Sequence, residues 1–514
     1  MEQTRLIAKT FQGLEEVLAR ELEQIGAQDI KPGRRMVEFR GDLALLYKAN
    51  LRLRTAVRVL KPIHTFKAKD ADEVYNAVKS LEWADYLDLQ TSFSVDAVVY
   101  SEEFRHSKYV SYKVKDAIID YFRERTGQRP NISVANPDLR LNIHIAETDC
   151  TLSLDSSGES LHKRGYRVET VESPISEVLA AGMILLSGWD GQCDLIDPMC
   201  GSGTIAIEAA LIATNTAPGL FRKNFAFEKW RDFDPDLFHE IYNDDSEERP
   251  FAHHIYAYDI DPRAVHAAQA NAQSAGMLQH ITIEQRPLQQ FQTPEQKATI
   301  ITNPPYGERL QPRDLLGLYR TLGEKLKHKF TGGDAWIIGY KEEAFEQIGL
   351  RPSLKIPLYN GALDCELRKY QIFDGKLAGY RAEGGILKTE EEKERNLKKR
   401  KLRPRVSNDD GLDDEIPEYI RQRHRDFEAQ YGERRTKRAT EQRSERSDER
   451  GERRDTYNNR SERSDRQGRK QSQGRSAGAQ GARSYSRDRK GNNRGTGYSA
   501  ARNNGKKSNY GKGK

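Results

Sequence analysis

Two short stretches of this chain combine residue types suited to holding and orienting a ligand: Leu195-Ile196-Asp197-Pro198-Met199-Cys200-Gly201-Ser202-Gly203-Thr204 and Ile300-Ile301-Thr302-Asn303-Pro304-Pro305-Tyr306-Gly307. In the first, an apolar run feeds Asp197, a turn of small residues follows, and an Ala- and Ile-rich helical pattern occupies 205–213. Gly201 and Gly203 let backbone approach a ligand closely, and the helix start offers free N–H groups. In the second, an apolar strand over 298–302 stops at two prolines, which cannot donate to a strand ladder. The turn therefore presents carbonyls: the amide oxygen of Asn303 and the carbonyl of Pro304 can accept from a ligand's N–H groups. Asn303 and Tyr306 are left at the carboxyl edge of a sheet, where open α/β folds bind ligands. No strong base and no cysteine lies in this turn.

The elements that must position these turns follow from periodicity. A helix over 174–186 precedes strand one, which ends at Asp197. Strand two, 254–259, ends in Asp259-Ile260-Asp261-Pro262 and leads into an Ala-rich helix reaching Ala275. Strand three covers 281–284, strand four ends at Asn303, strand five covers 335–339, and 363–373 supplies a final hairpin strand. Strands alternating with helices argue a mainly parallel, doubly wound sheet. Asp259 ends its strand where such folds place a carboxylate on ribose hydroxyls, with Asp261 the second choice. Upstream, 1–65 reads as a small α/β unit with strands at 4–9, 37–39 and 57–60. Between them lie helical faces carrying Leu14, Val17, Leu18, Leu22 and Ile25, and then Leu43, Leu46, Tyr47 and Leu51. Residues 66–167 form a second unit with a short helix (Val74, Val78, Leu81), a strand over 93–99 and a long helix closed by Gly127. In its last part Leu139, Leu141, Ile143 and Ile145 alternate with Arg140, Asn142 and His144, which marks a half-buried strand paired with 150–155. A long connection, 215–250, holds Phe221, Phe225, Phe227, Trp230 and Phe233 among Arg222, Lys223, Lys229 and Arg231. It suits stacking on an unpaired base, or capping of the sheet.

With these residues in hand, the chain resembles the class I S-adenosylmethionine-dependent methyltransferases that modify an exocyclic amine. The segment 129–139, followed by Leu161-His162-Lys163-Arg164-Gly165-Tyr166-Arg167, resembles the THUMP domain of RNA-modifying enzymes. Domain order, Cys200-Gly201-Ser202-Gly203-Thr204 and Asn303-Pro304-Pro305-Tyr306-Gly307-Glu308-Arg309-Leu310 together look like the bacterial family methylating guanine N2 in 23S ribosomal RNA, over roughly residues 1–385. The resemblance implies an α/β architecture: a ferredoxin-like unit (1–65), a THUMP domain (66–167), a Rossmann-like seven-stranded methyltransferase domain (168–385) and a charged, disordered tail (386–514). It implies S-adenosylmethionine as cofactor, held by Asp197, Gly201, Gly203, Thr204 and Asp259, and a target base held by Asn303, Pro304, Pro305 and Tyr306. Asn303 and Pro304 would accept from the amine, and Tyr306 would stack on the extruded base. Arg164 and Arg167 could touch phosphate or stand as solvated linker charges. Two departures stand out: Met199 replaces the first glycine of the broader pattern, and Pro287 stands where many relatives carry an acid contacting adenine. The turn alone does not separate guanine N2 from adenine N6 or cytosine N4, since each presents an N–H pair. An adenine-N6 enzyme on RNA or DNA and an RNA-binding assembly factor are the alternatives.

At 514 residues, two or three domains are expected. There are 84 basic and 78 acidic residues, a net of +6. From Arg469 to Lys514, 13 Lys or Arg face one acid, Asp488, a net of +12 that leaves −6 for the rest. The basic character is thus a property of the tail, whose Tyr485, Tyr498 and Tyr510 suit non-specific RNA binding. A short helix over 416–431 is expected within it. Cys150, Cys193, Cys200 and Cys365 show neither paired nor metal-ligand spacing, which points to reduced core thiols in a cytoplasmic protein without a metal. No apolar run is long enough to span a bilayer, and the longest, 178–189, reads as a buried helix.

Overall fold

The computed structural model describes residues 3–373 except 105, 293 and 308–313. The expected tail, with its helix over 416–431, lies outside the described residues. The first half contains β1 (Thr4–Lys9), α1 (Glu15–Gln24), β2 (Gln28–Gly33), β3 (Met36–Gly41), α2 (Leu43–Arg52), β4 (Arg58–Lys67), α3 (Ala71–Lys79), β5 (Phe93–Tyr100), α4 (Ser107–Thr126), β6 (Leu139–Ala146) and β7 (Asp149–Asp155). Local chemistry sets the ends of several. Asp42 caps α2 by accepting from Leu45 N, Asp70 caps α3 by accepting from Asp72 N and Glu73 N, and Gly127 at φ +71° closes α4. The expected alternation of β6 is present, with Leu139, Leu141, Ile143 and Ile145 buried.

These seven strands make one sheet, in the order β2-β3-β1-β4-β7-β6-β5. The joint is β4. Its first residues pair with β1, Leu60 opposite Ile7, and its remainder pairs with β7 as far as Lys67 opposite Asp149. The two N-terminal units expected from the sequence thus share a continuous ladder and a common core, which runs from Leu18 and Leu22 of α1 through Tyr47 of α2 to Val114 and Ile118 of α4. The sequence offered no sign of β2, because its six residues are almost all exposed and end in Pro32-Gly33. It forms because β3 offers it an edge.

The second half contains α5 (Glu177–Ser187), β8 (Asp194–Asp197), α6 (Thr204–Ala213), α7 (Pro235–Tyr242), β9 (Ile255–Asp259), α8 (Pro262–Ser274), β10 (Ile281–Gln285), β11 (Ala298–Thr302), α9 (Leu315–Lys329), β12 (Asp334–Gly339), α10 (Glu342–Gln347), β13 (Leu354–Asn360) and β14 (Leu363–Gln371). They build the expected seven-stranded sheet, in the order β10-β9-β8-β11-β12-β14-β13. The first five strands run parallel, and β14 inserts antiparallel between β12 and β13. β13 does not stand out in the sequence, because it carries Pro357 in its interior. An edge strand tolerates such a residue.

Between α6 and β9 the long connection sets Phe221 against the core of the second sheet and carries its other aromatics into the core of the first. Phe225, Phe227 and Trp230 are buried there, and the Phe227 ring stacks on Tyr47 with centroids 4.5 Å apart. Polar bonds fasten it from outside: Lys229 to Asp138 at 3.0 Å, Arg231 to Asp88 at 3.0 Å and Lys61 to Asp232 at 2.7 Å. Arg222 donates to the carbonyls of Ser157, Glu159, Ser160 and Lys163. The second half therefore clasps the first with one of its own loops. Phe227→Ala removes a fully buried ring at the centre of that clasp and is expected to cost about 3–5 kcal/mol of stability, read as a lower urea midpoint.

Candidate active site

The order of strands in the second sheet reverses between β8 and β11, and both turns singled out in the sequence lie at the carboxyl ends of that adjacent pair. This is the switch point at which doubly wound sheets open a crevice for ligands. Ile300 sits opposite Ile196 in the register, so the two strands end within one residue of each other.

On the β8 side, Gly201 has φ +55° and Gly203, the residue before α6, has φ +82°. A side chain at Gly203 would press within 3.0 Å of the Ala268 Cβ on α8, so backbone angle and packing both call for glycine there. No side chain caps α6, which leaves the N–H groups of its first turn turned toward the crevice. Asp259, half-buried at the end of β9, accepts from Gly201 N at 2.9 Å through one oxygen and from Asp261 N at 2.9 Å through the other. Burial holds its carboxyl above the ordinary range. Asp261 is turned the other way, capping α8 and paired with Arg263 at 2.7 Å.

Asp197 is 1% exposed. Its Oδ1 accepts from the Thr302 hydroxyl at 2.8 Å and from Met199 N at 3.2 Å, a direct tie between β8 and the residue preceding Asn303. Burial pushes its carboxyl up to about 7, against these two hydrogen bonds, which act to lower it.

Arg164 and Arg167 belong to neither of the surfaces expected of them. Arg164 is 2% exposed, and its guanidinium donates to the carbonyls of Leu161 and Arg54 and reaches Glu208 of α6 at 3.4 Å. Tyr166 donates to the same Glu208 oxygen at 3.0 Å, and a side chain at Gly165 would collide with the Phe221 carbonyl. Arg167 turns under the Gly201–Gly203 turn, donating to Ser202 Oγ at 2.7 Å, Thr204 Oγ1 at 2.9 Å and Glu177 Oε1 at 2.8 Å. The Thr204 side chain thus faces Arg167. Buried Asn271 on α8 completes this support by accepting from Val168 N and Glu169 N and donating to the carbonyls of Glu169 and Ser202. Neither Arg167 nor Asn271 was read from sequence as a support of the turn. Their partners lie 8 to 103 positions away, and no local pattern marks them.

On the β11 side, Pro304 is buried and Asn303, Pro305 and Tyr306 are half-buried. The Tyr306 hydroxyl donates to Asn303 Oδ1 and accepts from Asn360 Nδ2 at 3.4 Å, while its ring stands edge-on to Tyr340 at 5.6 Å. A cysteine does come up behind this turn: the thiol of Cys365 on β14 lies against the Tyr306 hydroxyl. It is 1% exposed and burial raises its pKa, so it stays a thiol rather than becoming a nucleophile.

A seven-stranded switch-point sheet with a glycine turn on one central strand and an Asn-Pro-Pro-Tyr turn on the next defines a class I methyltransferase fold. Residues 164–369 match the RMKL-like methyltransferase domain family, 68–155 the THUMP domain and 5–60 the RlmL ferredoxin-like domain. The protein slr0064 of Synechocystis, whose name proposes an RNA methyltransferase, is 36% identical over 373 residues, covering 71% of this chain and 96% of its own. The chain belongs to this family of RMKL-like, THUMP-containing methyltransferases. Ribosomal RNA large subunit methyltransferase K/L of Syntrophotalea carbinolica is 39% identical over 388 residues, 73% of this chain, and the chain spans 54% of that relative's length. Among solved structures, SMU.472, a proposed methyltransferase crystallised with SAH, aligns over 73% of this chain and all of its own at 31% identity and a TM-score of 0.66. A Listeria monocytogenes protein whose name proposes N6-adenine-specific DNA methylation aligns over 72% of this chain and 97% of its own at 33% identity and a TM-score of 0.65.

The pH dependence of stability tests the buried carboxyl. Because Asp197 holds its proton more tightly folded (about 7) than unfolded (about 3.9), its contribution is complete below the unfolded value and is lost as pH rises through 7. Asp197→Asn keeps an oxygen for Thr302 and Met199 but cannot ionise. The fall in urea midpoint between pH 5 and pH 8 is expected to be smaller in Asp197→Asn than in wild type.

Proposed function

We propose that this chain transfers a methyl group from S-adenosylmethionine to the exocyclic N2 amine of a guanine in 23S ribosomal RNA, acting in the cytoplasm. One observation carries the reading: a turn that sets the Asn303 amide oxygen beside the carbonyl of Pro304, which has no N–H, lies level with a glycine turn on the neighbouring central strand. The names of the Syntrophotalea and Synechocystis relatives and the matched THUMP domain support RNA as the substrate.

The residues fit the cofactor. The uncapped start of α6 would offer N–H groups to its carboxylate, with the Gly201–Gly203 turn letting the backbone come close, Asp197 would supply a buried acid for its amine, and Asp259 would accept from the ribose hydroxyls. Bound there, S-adenosylmethionine supplies a sulfonium methyl, an electrophile that needs alignment rather than acid or base.

The protein's task is then to prepare the amine. An exocyclic amine is a poor nucleophile because its lone pair is delocalised into the ring. Asn303 Oδ1 and the Pro304 carbonyl accept its two hydrogens, draw the nitrogen from planarity and point the lone pair at the methyl. Before the base arrives, the Tyr306 hydroxyl occupies Asn303 Oδ1, so the acceptor is never left unpaired while the site waits. Base insertion exchanges that bond for one from the amine and releases the Tyr306 ring to stack on the extruded base, with Asn360 still within reach of the hydroxyl. N6 of adenine is the second reading, favoured by the name of the Listeria relative, since it presents the same N–H pair to the turn.

Deletion of the gene, followed by nuclease digestion and mass spectrometry of 23S rRNA, should show loss of one N2-methylguanosine, restored by wild type and not by Asn303→Ala. In vitro, Asn303→Ala is expected to lower kcat about 100-fold or more while leaving cofactor affinity unchanged. Tyr306→Phe, which keeps the ring, should stay within about tenfold of wild type. Unchanged guanine methylation with a lost N6-methyladenosine would replace the first reading by the second. Unchanged methylation of both bases would favour an RNA-binding assembly factor.

A further inference from the structure

The hairpin of β13 and β14 reaches past the strand it packs against. β12 ends at Gly339, opposite Glu366, while the hairpin runs on through the pair Leu358–Cys365 to the pair Asn360–Leu363. Because β14 is antiparallel to β12, this extension stands beyond the carboxyl end of β12. That is the side of the sheet on which β11 ends and the Asn303–Tyr306 turn begins. A two-residue loop closes the hairpin, with Gly361 at φ +64°. The last rung thereby brings Asn360 to the Tyr306 hydroxyl, and Cys365 comes up behind it.

Three groups converge on that hydroxyl. It donates to Asn303 Oδ1, accepts from Asn360 Nδ2 at 3.4 Å and lies against the Cys365 thiol. Burial, and after it the neighbouring thiol, hold the phenol well above its ordinary range, so it keeps its proton and needs an acceptor throughout the neutral range. In the waiting site that acceptor is Asn303. When the target amine takes Asn303 Oδ1, the hydroxyl proton must find another acceptor or stand unpaired away from water. Cys365 is a poor substitute, because sulfur accepts weakly. Asn360 is suited to the task. Its amide carries a donor and an acceptor on one rotor, and among the described residues no group donates to its Oδ1. A half-turn of the amide replaces the bond from Asn360 Nδ2 to the hydroxyl by one from the hydroxyl to Asn360 Oδ1. An aliphatic side chain serves neither state, and a carboxylate would compete with Asn303 while the site waits.

We propose that Asn360 is a positioning residue for the methyl transfer, turning its amide over to accept from the Tyr306 hydroxyl when the target amine engages Asn303. It touches no reacting atom and acts through Tyr306. The inference rests on the amine-methylation reading above, and it holds for guanine N2 and adenine N6 alike, since both present the same N–H pair to the turn.

The test measures kcat/KM of the full chain on an unmodified 23S rRNA transcript, scoring methylated guanine and methylated adenine, for Asn360→Leu, Tyr306→Phe and the double variant. Leucine has about the size of the amide but neither donates nor accepts. Asn360→Leu is expected to lower kcat/KM for RNA about 10- to 100-fold, the cost of a hydroxyl left without an acceptor once the base is in place. Its cofactor affinity should match wild type. Tyr306→Phe removes that hydroxyl, so adding it to Asn360→Leu should bring activity back up to the level of Tyr306→Phe alone. A damaged hairpin would not recover through a second substitution. Wild-type activity in Asn360→Leu would overturn the role of Asn360, and so would a double variant as weak as Asn360→Leu or weaker. In both cases the amine-methylation reading stands, provided that wild type methylates one of the two bases and Asn303→Ala does not. A wild-type chain that methylates neither base would overturn both.

Discussion

The hydrogen bond from the Thr302 hydroxyl to the Asp197 carboxyl holds the two halves of the candidate site in one frame. Both groups are buried, so neither can trade its partner for water, and breaking the bond leaves an unpaired polar group in the interior. Thr302 precedes Asn303, and Asp197 precedes the turn that ends in Gly203. A shift of β11 along β8 by one residue would point Thr302 to the other face of the sheet and carry Asn303 out of level with the glycine turn. The same bond works with Met199 N against the burial that raises the Asp197 carboxyl. The site is thus framed by an acid poised near neutrality, and its charge is set by what is brought beside it.

Much of this was legible in the sequence because it is written in local signals. The strand ending at Asp197, the glycines of its turn and the proline pair after Thr302 each follow from conformational limits acting within a few residues. The alternation of β6 and the glycine closing α4 are of the same kind. What escaped was carried by partners far apart. Arg164 and Arg167 look like linker charges in the sequence because Glu208, Glu177, Ser202 and Thr204 become visible as their partners only once α5 and α6 fold beside them. Cys365 looked remote from the Asn-Pro-Pro-Tyr turn and ends up against Tyr306, because β14 folds back into the sheet beside β12. The clasp was legible as unusual, but its direction was not, since aromatic residues interleaved with cations describe a base-stacking loop and an interlocking one equally well.

The linker joins these scales. From Leu161 to Glu169 it is bonded at nearly every step, to Arg54 and Val57 of the first half, to Glu208 and Ser202 of the second and to Asn271 of α8. The glycine turn is therefore supported from below by residues outside its own strand and helix. A charge buried with its partner, as Arg164 is with Glu208, costs several kcal/mol to strand and fixes one arrangement of the halves against others.

The clasp also sets an order of events during synthesis. The core of the N-terminal sheet includes Phe225, Phe227, Trp230 and Ile241, all later in the chain than β7, the last strand of that sheet. When Asp155 has been made, Tyr47 still lacks the ring that will stack on it. At ordinary elongation rates the ribosome needs roughly 4–17 s to reach Tyr242, the end of α7. Throughout that interval the first sheet carries an uncovered apolar surface beside α2. A nascent chain of this protein is therefore most vulnerable to association and to chaperone capture after its N-terminal sheet has been translated and before its own catalytic half arrives to close it.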